Sequence, residues 1–139
     1  MDLHAEMVKT IDFIKKLKTT HQLETNFDAL APLLYVGVAT AEKIKKIQAE
    51  LMAEFGEPYK PTGSTAFFMN LFNPFVRGIG GAKSDQTLFR RDITPTVTLY
   101  CALWPWGSDP NRTSVRIGIY CEKEEEAEPL VKEFGHKFD

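Results

Sequence analysis

In the C-terminal half of the chain, three aromatic residues and one arginine are spaced so that they would share one face of a β-sheet. Ring faces are offered by Tyr100, Trp104 and Tyr120, and Arg116 adds a guanidinium group with paired N–H donors. Rings stack on flat groups, and a guanidinium binds a carboxylate or phosphate through two hydrogen bonds. These four residues are therefore the candidate surface for a planar or anionic ligand.

The segment Thr94 to Glu122 predicts the β-hairpin that would carry them. Apolar residues alternate with other types along Thr96 to Trp104 and again along Ser114 to Glu122, which is the period of a strand with one buried face. Between the two runs lie residues rich in proline, glycine and asparagine, too many for a two-residue turn. We expect an antiparallel pair joined by a longer loop.

The register of this pair follows from superimposing the two apolar rows, which sets Leu103 opposite Val115 and Leu99 opposite Ile119. The other face then pairs large residues with small ones: Tyr100 with Gly118, Arg116 with Ala102, and Trp104 with Ser114. A ring across a small residue is a common way to fill a sheet surface. This face is either packed under another part of the chain or open to a ligand.

Both cysteines, Cys101 and Cys121, fall on the apolar face of the hairpin. In the predicted register their positions lie roughly 13 Å apart along the strands, beyond the reach of a disulfide. We expect free, buried thiols that act as small apolar side chains.

A second set of cations comes earlier in the chain: Arg77, Lys83, Arg90 and Arg91. Surface ion pairs with Asp85 and Asp92 are one interpretation, and a clamp for a carboxylate or phosphate is the other. If the strand predicted over Gln86 to Ile93 neighbours the hairpin, these arginines would adjoin Arg116. The clamp would suit a small enzyme, with Asp92 or Tyr100 transferring a proton.

Familiar catalytic motifs are missing from the sequence. The glycine-rich segment Gly78 to Ser84 does not have the spacing of a phosphate-binding loop, since Arg77 and Ala82 stand where that loop needs glycines. The three histidines have no second histidine or cysteine at ligand spacing. We therefore predict no metal site and no cofactor.

Composition describes an ordinary globular protein. The residues are 43% hydrophobic and 26% charged, and the length of 139 residues predicts a single domain over residues 1–139. A net charge of -2 gives no reason to expect nucleic acid as a partner. The N-terminus lacks the pattern of a secretory signal, and no apolar run approaches the ~20 residues of a membrane span. We expect a soluble, cytoplasmic protein with no membrane partner.

Two amphipathic helices are predicted in the first half. Apolar residues recur every three or four positions from Leu3 to about Leu17, with Asp2 as the N-cap. A second helix is expected over Ala41 to Phe55, between Thr40 as N-cap and Gly56 as the stop. The lysines on its polar face are read as a solvated surface.

A third helix is expected near the C-terminus. It begins near Ala127 or slightly earlier and ends at Gly135, because Pro129 is tolerated only in a first turn. Its buried stripe would be Ala127, Leu130, Val131 and Phe134.

For two apolar segments the sequence does not decide between a helix and a strand. Phe27 to Ala39 contains a possible short helix start followed by a possible buried strand, and the helix is the preferred interpretation. Thr65 to Phe72 suits either a strand buried on both faces or a short buried helix.

Together these features predict an α+β fold: an antiparallel sheet of about three to five strands, with the helices packed on the face that carries Val97, Leu99, Ile117 and Ile119. The first functional hypothesis is a non-catalytic module that binds a small anionic or aromatic ligand, or a protein segment, with the residues Tyr100, Trp104, Arg116, Tyr120, Arg77, Arg90 and Arg91. The alternatives are the arginine-clamp enzyme and a structural homodimer that buries the aromatic face or an open strand edge.

Overall fold

The computed structural model describes residues 2–61, 73–79, 81, 83 and 85–139. Within them the helices are α1 (Leu3–His21), α2 (Ala41–Phe55), α3 (Pro74–Gly78) and α4 (Glu124–Phe134). The strands are β1 (Glu24–Thr25), β2 (Leu34–Thr40), β3 (Thr87–Thr94), β4 (Val97–Pro105) and β5 (Arg112–Cys121). The strands form one antiparallel sheet in the order β1-β2-β5-β4-β3, which confirms the predicted α+β class.

The hairpin of β4 and β5 has the predicted register. Leu103 lies opposite Val115, and Tyr100 lies opposite Gly118. The strand expected over Gln86 to Ile93 is confirmed as β3, and it extends the sheet by pairing with β4. The sheet therefore has two faces whose residues follow directly from the alternation along each strand.

The face with Val97, Leu99 and Ile117 carries the main core, as predicted. Helices α1, α2 and α4 pack on it and bury apolar stripes that include Met7 and Leu51. Burial of this apolar surface is the main stabilising contribution to the fold. We call this side of the sheet the helix-covered face.

Helix α1 extends one turn beyond its expected end at Leu17. Asp2 caps its N-terminus by accepting a hydrogen bond from the His4 amide at 3.1 Å, as predicted. The additional turn ends at His21, a buried residue whose Nε2 lies 2.6 Å from the Glu50 carboxylate of α2. The polar composition of this turn suggested a loop, but a contact with a distant helix stabilises it.

Helix α2 has the predicted ends. Gly56 follows it with a positive φ of 86°, a conformation that glycine adopts without strain. Thr40 occupies the N-cap position, but its side chain makes no capping hydrogen bond. The Ala41 amide instead donates to the carbonyl oxygen of Asn111 at 2.9 Å, so the chain near the hairpin loop satisfies this helix end.

The preferred prediction of a helix over Phe27 to Ala39 is wrong. Only a short 3-10 turn, Phe27–Ala29, is helical, and Leu34–Thr40 is strand β2. The segment pairs with β1 on one side and β5 on the other, and these backbone hydrogen bonds favour the extended form that Pro32 and Gly37 also allow. The alternatives for Thr65 to Phe72 lie outside the described residues.

Helix α4 begins at Glu124, three residues before Ala127, where a start near Ala127 or slightly earlier was expected. Pro129 therefore lies in the second turn rather than the first, where it leaves one carbonyl group of the preceding turn without its usual donor. Three glutamates in the first turn favour this early start through the helix dipole. Val131, predicted to be buried, has 38% of its surface exposed.

The cysteines are free, as predicted, but only one is fully buried. Cys101 has no exposed surface, and burial raises the pKa of its thiol strongly. Cys121 lies at the end of β5 and is partly exposed, which corrects the expectation of two buried thiols.

Arg91 lies on the helix-covered face, where it joins three elements. Its Nη2 donates to the Glu6 carboxylate of α1 at 3.0 Å, and its Nη1 donates to the main-chain oxygen of Glu54 in α2 at 3.0 Å. Glu6 is only 6% exposed, so its charge depends on this arginine for compensation.

Replacing Arg91 with alanine should therefore lower the free energy of unfolding by about 2 to 4 kcal/mol, because the Glu6 carboxylate stays buried without a partner. Urea unfolding followed by circular dichroism measures the change. Arg77→Ala is the control, since Arg77 is exposed and has no ion pair among the described residues, and it should change stability by less than about 0.5 kcal/mol. A loss below about 1 kcal/mol for Arg91→Ala would contradict the role given to this network.

Candidate functional site

The four residues predicted as a ligand surface do share the face opposite the helices, which we call the second face. Tyr100 and Trp104 reach it from β4, and Arg116 and Tyr120 reach it from β5. They do not form one continuous surface, because a short helix covers the middle of the face.

That short helix is α3. Asn73 caps it by accepting a hydrogen bond from the Val76 amide at 3.2 Å, and Pro74 occupies its first turn. Phe75 and Val76 are buried against the sheet in a second, smaller core. The sheet residues in this core are Leu88, Tyr100 and Ala102.

Tyr100 belongs to this smaller core and is not an accessible ligand contact. The Phe75 ring meets it edge-on with 5.8 Å between ring centroids, and Tyr100 is only 7% exposed. Burial raises the pKa of its phenol to about 12, with a smaller opposing effect from Arg116. The ring lies across Gly118, so this part of the face is packed internally.

Trp104 and Arg116 remain partly exposed on one side of this covered region. The Arg116 guanidinium lies 4.2 Å from the centroid of the Trp104 ring, a close cation–π contact. Its neighbours across the sheet are Val36 and Ala102, which are apolar and supply no charge. Burial lowers the pKa of Arg116, with a smaller opposing effect from Tyr100.

Arg116 has an unusual position among the arginines that the structure describes. Three others have acidic partners: Arg90 with Asp92, Arg91 with Glu6 and Glu54, and Arg112 with Asp109. Arg77 is exposed, where water compensates its charge. Arg116 is half-buried, and within the described residues it has no carboxylate partner and donates no side-chain hydrogen bond.

Tyr120 and Arg90 lie on the other side of the covered region, at a pocket of about 270 Å³. The Arg90 guanidinium stacks on Phe75 at 4.4 Å and on Tyr59 at 4.8 Å, and its Nη2 donates to Asp92 at 2.6 Å. That hydrogen bond is the main cause of a lowered pKa at Asp92. The charge of Arg90 is thus already compensated.

The predicted arginine clamp is not assembled. Arg90 and Arg116 lie on the second face, but Arg91 lies on the helix-covered face. Arg77 is on the exposed side of α3, beside Pro74 and Gly78, and Lys83 is exposed on the loop that follows. The cause is the alternation of β3, which sends adjacent residues to opposite faces.

Two residues that the sequence pattern assigned to the loop, Trp106 and Arg112, continue the surface beyond Trp104. The Trp106 indole Nε1 donates to the Ser114 hydroxyl at 2.9 Å, and the Arg112 guanidinium lies 5.6 Å from the centroid of the Trp106 ring. These residues share the alternation of Trp104 and Arg116, but the turn-rich composition around them suggested a loop. The even spacing of two tryptophans and two arginines was the available sign.

Comparison of the chain with protein-family models, curated proteins and solved structures finds no match. Among the described residues, no helix is both long and apolar enough to span a bilayer. The same residues hold no cluster of three or more histidine, cysteine or acidic side chains that would suit a metal ion.

The raised pKa of Tyr100 predicts a loss of stability in alkali. The unfolded chain releases the phenol proton near pH 10 and the folded chain near pH 12. The contribution of Tyr100 to the free energy of unfolding is therefore complete below pH 10 and is lost as the pH rises from 10 to 12. Two pKa units correspond to about 2 to 3 kcal/mol. Urea unfolding of wild type and Tyr100→Phe across this range should show the steeper loss in the wild type, and parallel curves would contradict the assignment.

Substitution of Gly118 by alanine should also destabilise the protein. A Cβ atom there would lie 2.8 Å from the Tyr100 hydroxyl oxygen and 3.0 Å from the carbonyl oxygen of Leu33. We expect a loss of about 1 to 3 kcal/mol from overpacking. Gly107→Ala is the matched control, because nothing lies within 4 Å of its added Cβ. Equal thermal stability of the two variants would show that Tyr100 is not tightly packed on Gly118.

Proposed function

We propose that this chain is a non-catalytic binding module that takes an anionic group on a planar or apolar body, with Arg116 and Trp104 as the primary contacts. The observation that carries the proposal is the half-buried Arg116 guanidinium, stacked on Trp104 and without an acidic partner among the described residues. A partly desolvated cation is stabilised when a ligand supplies the missing negative charge.

The two residues would divide recognition between them. A guanidinium binds a carboxylate or phosphate through two parallel hydrogen bonds, which fixes the orientation of the anion. The Trp104 ring offers an apolar surface to the body of the ligand, and its contact with Arg116 restricts where the cation lies. Such a fixed cation loses less freedom on binding than a mobile one.

The groups best placed for proton transfer on this face are poorly suited to catalysis near neutral pH. Tyr100 is buried and its pKa is raised to about 12, so it holds its proton. Asp92 accepts hydrogen bonds from Arg90 and Thr98, and its pKa is lowered. These properties support binding over the arginine-clamp enzyme, which also needs cations that lie on different surfaces here.

A reducing compartment such as the cytoplasm is the setting that we propose. Two free cysteines, one of them partly exposed, are compatible with such a setting and are uncommon in oxidising ones.

The proposal is tested with an aromatic carboxylate, 2-naphthoate, and its neutral analogue 2-naphthalenemethanol, each titrated while the tryptophan indole N–H signals are followed by NMR. We expect naphthoate to bind more tightly than the alcohol. Arg116→Gln should weaken naphthoate roughly 10- to 100-fold, because a hydrogen bond to a charged group contributes about 1.5 to 3 kcal/mol. Trp104→Leu should weaken both compounds.

The control is Arg77→Gln, which removes an exposed arginine on α3 and should leave affinity unchanged. Equal binding of naphthoate by wild type and Arg116→Gln would overturn the proposal. If neither compound binds and sedimentation shows a dimer that Trp104→Glu dissociates, the face is a contact between copies and the homodimer alternative is correct.

A further inference from the structure

Two tryptophans and two arginines interleave along the hairpin in a continuous row. The Trp–Arg ladder consists of Arg116, Trp104, Ser114, Trp106 and Arg112. Arg116 stacks on Trp104, Trp106 donates to Ser114, and Arg112 lies over Trp106. Each member except the exposed Arg112 is partly buried, so the row is a defined surface with accessible edges.

The strand pairing explains why these side chains line up. Trp104 lies opposite Ser114, and the Trp106 amide donates to the Arg112 carbonyl oxygen at 2.9 Å, which continues the pairing one step beyond β4. Residues two apart on a strand share a face, so Arg112, Ser114 and Arg116 point the same way along β5. The ladder is therefore built on paired backbone rather than on an independent loop.

The Arg112 guanidinium also has N–H donors that Asp109 does not use. Its Nε lies 3.3 Å from the Asp109 carboxylate, and both side chains are about half exposed. This single ion pair leaves the two terminal amino groups of the guanidinium without a hydrogen bond among the described residues. A ligand can reach them without breaking the contact with Asp109.

The spacing of the two arginines suits an extended peptide. Arg112 and Arg116 are four residues apart on β5, about 13 Å at the rise of a strand. An extended peptide laid along the hairpin repeats the same spacing, with every second side chain on the side that faces the sheet. Acidic side chains four residues apart would meet the two arginines, and the residue midway between them would lie over the indole rings.

We propose that the ladder binds an extended acidic peptide segment with the pattern acid, any, apolar or aromatic, any, acid. The inference rests on the proposed function, since Arg116 and Trp104 form one end of the ladder, and it adds Trp106 and Arg112 as the determinants of ligand class. Charge complementarity at two points and an apolar contact between them define the partner.

A peptide with two acids fits this chain better than nucleic acid does. The chain carries a net charge of -2, and Asp109 lies beside one of the two arginines. A polyphosphate ligand needs a dense set of cations along its backbone, whereas the ladder offers two.

The test uses short capped peptides whose binding is followed by intrinsic tryptophan fluorescence. The first has two glutamates four residues apart with a phenylalanine midway, and serines elsewhere. A register control places the glutamates three residues apart, which sends them to opposite faces of an extended chain. We expect the first peptide to bind at least tenfold more tightly than the register control.

Variants separate this inference from the proposed function. Arg112→Gln should weaken the first peptide about tenfold and leave 2-naphthoate binding unchanged, whereas Arg116→Gln should weaken both. Asp109→Asn keeps an acceptor for the Asn111 amide, which bonds Asp109 at 3.1 Å, and should tighten the peptide by removing a like charge. Arg77→Gln should change neither ligand, and circular dichroism confirms that each variant is folded.

Reversing the charge at position 112 shows which end of the peptide lies at that end of the ladder. The Arg112→Glu variant should bind a peptide with one glutamate replaced by lysine, and only one of the two possible lysine peptides should regain affinity.

If Arg112→Gln leaves peptide affinity unchanged while Arg116→Gln still weakens naphthoate, the inference fails and the proposed function stands. If Arg116→Gln affects neither ligand, both fail. Tighter binding of an oligothymidine strand, lost in Arg112→Gln, would assign the ladder to nucleic acid instead.

Discussion

The register of β4 against β5 is the constraint on which the rest of the structure depends. It divides the hairpin into an apolar face and a face where large residues oppose small ones. An apolar sheet face must be buried, and three amphipathic helices do this on one side. Among the described residues, a five-residue helix covers the middle of the second face, and Trp104 and Arg116 beside it remain partly exposed. Both core and candidate site are consequences of one strand pairing.

The arginines show how the same residue type takes different roles according to which face it reaches. Arg91 is adjacent in sequence to Arg90 but lies on the helix-covered face, where it compensates a buried glutamate. Arg90 lies on the second face between two rings and is neutralised by Asp92. Arg116 reaches the second face where its neighbours across the sheet are apolar. Only this last environment leaves a half-buried charge for a ligand to satisfy.

Phe75 divides what would otherwise be a single aromatic surface. Its ring packs against both Tyr100 and Tyr120, with centroid distances of 5.8 Å and 5.6 Å. It therefore turns Tyr100 into a core residue and separates the pocket near Arg90 from the Trp–Arg ladder. The packed middle also supports one end of the ladder, since Trp104 packs against the smaller core that contains Tyr100 and Ala102. A preorganised surface of this kind favours recognition without large rearrangement.

Much of the architecture was determined by local sequence pattern. Alternation of residue types was enough for the hairpin and its register, and helical periodicity with Gly56 was enough for α2, because these patterns depend on neighbours along the chain. Tertiary contacts decided the rest. Pairing on both sides made Leu34–Thr40 a strand, and a contact with Glu50 prolonged α1 to His21. The covering of Tyr100 by Phe75 and the pairing of Arg91 with Glu6 also arise between distant segments. A sequence specifies which face a residue takes on its strand, but which element then covers that face depends on packing across the whole chain.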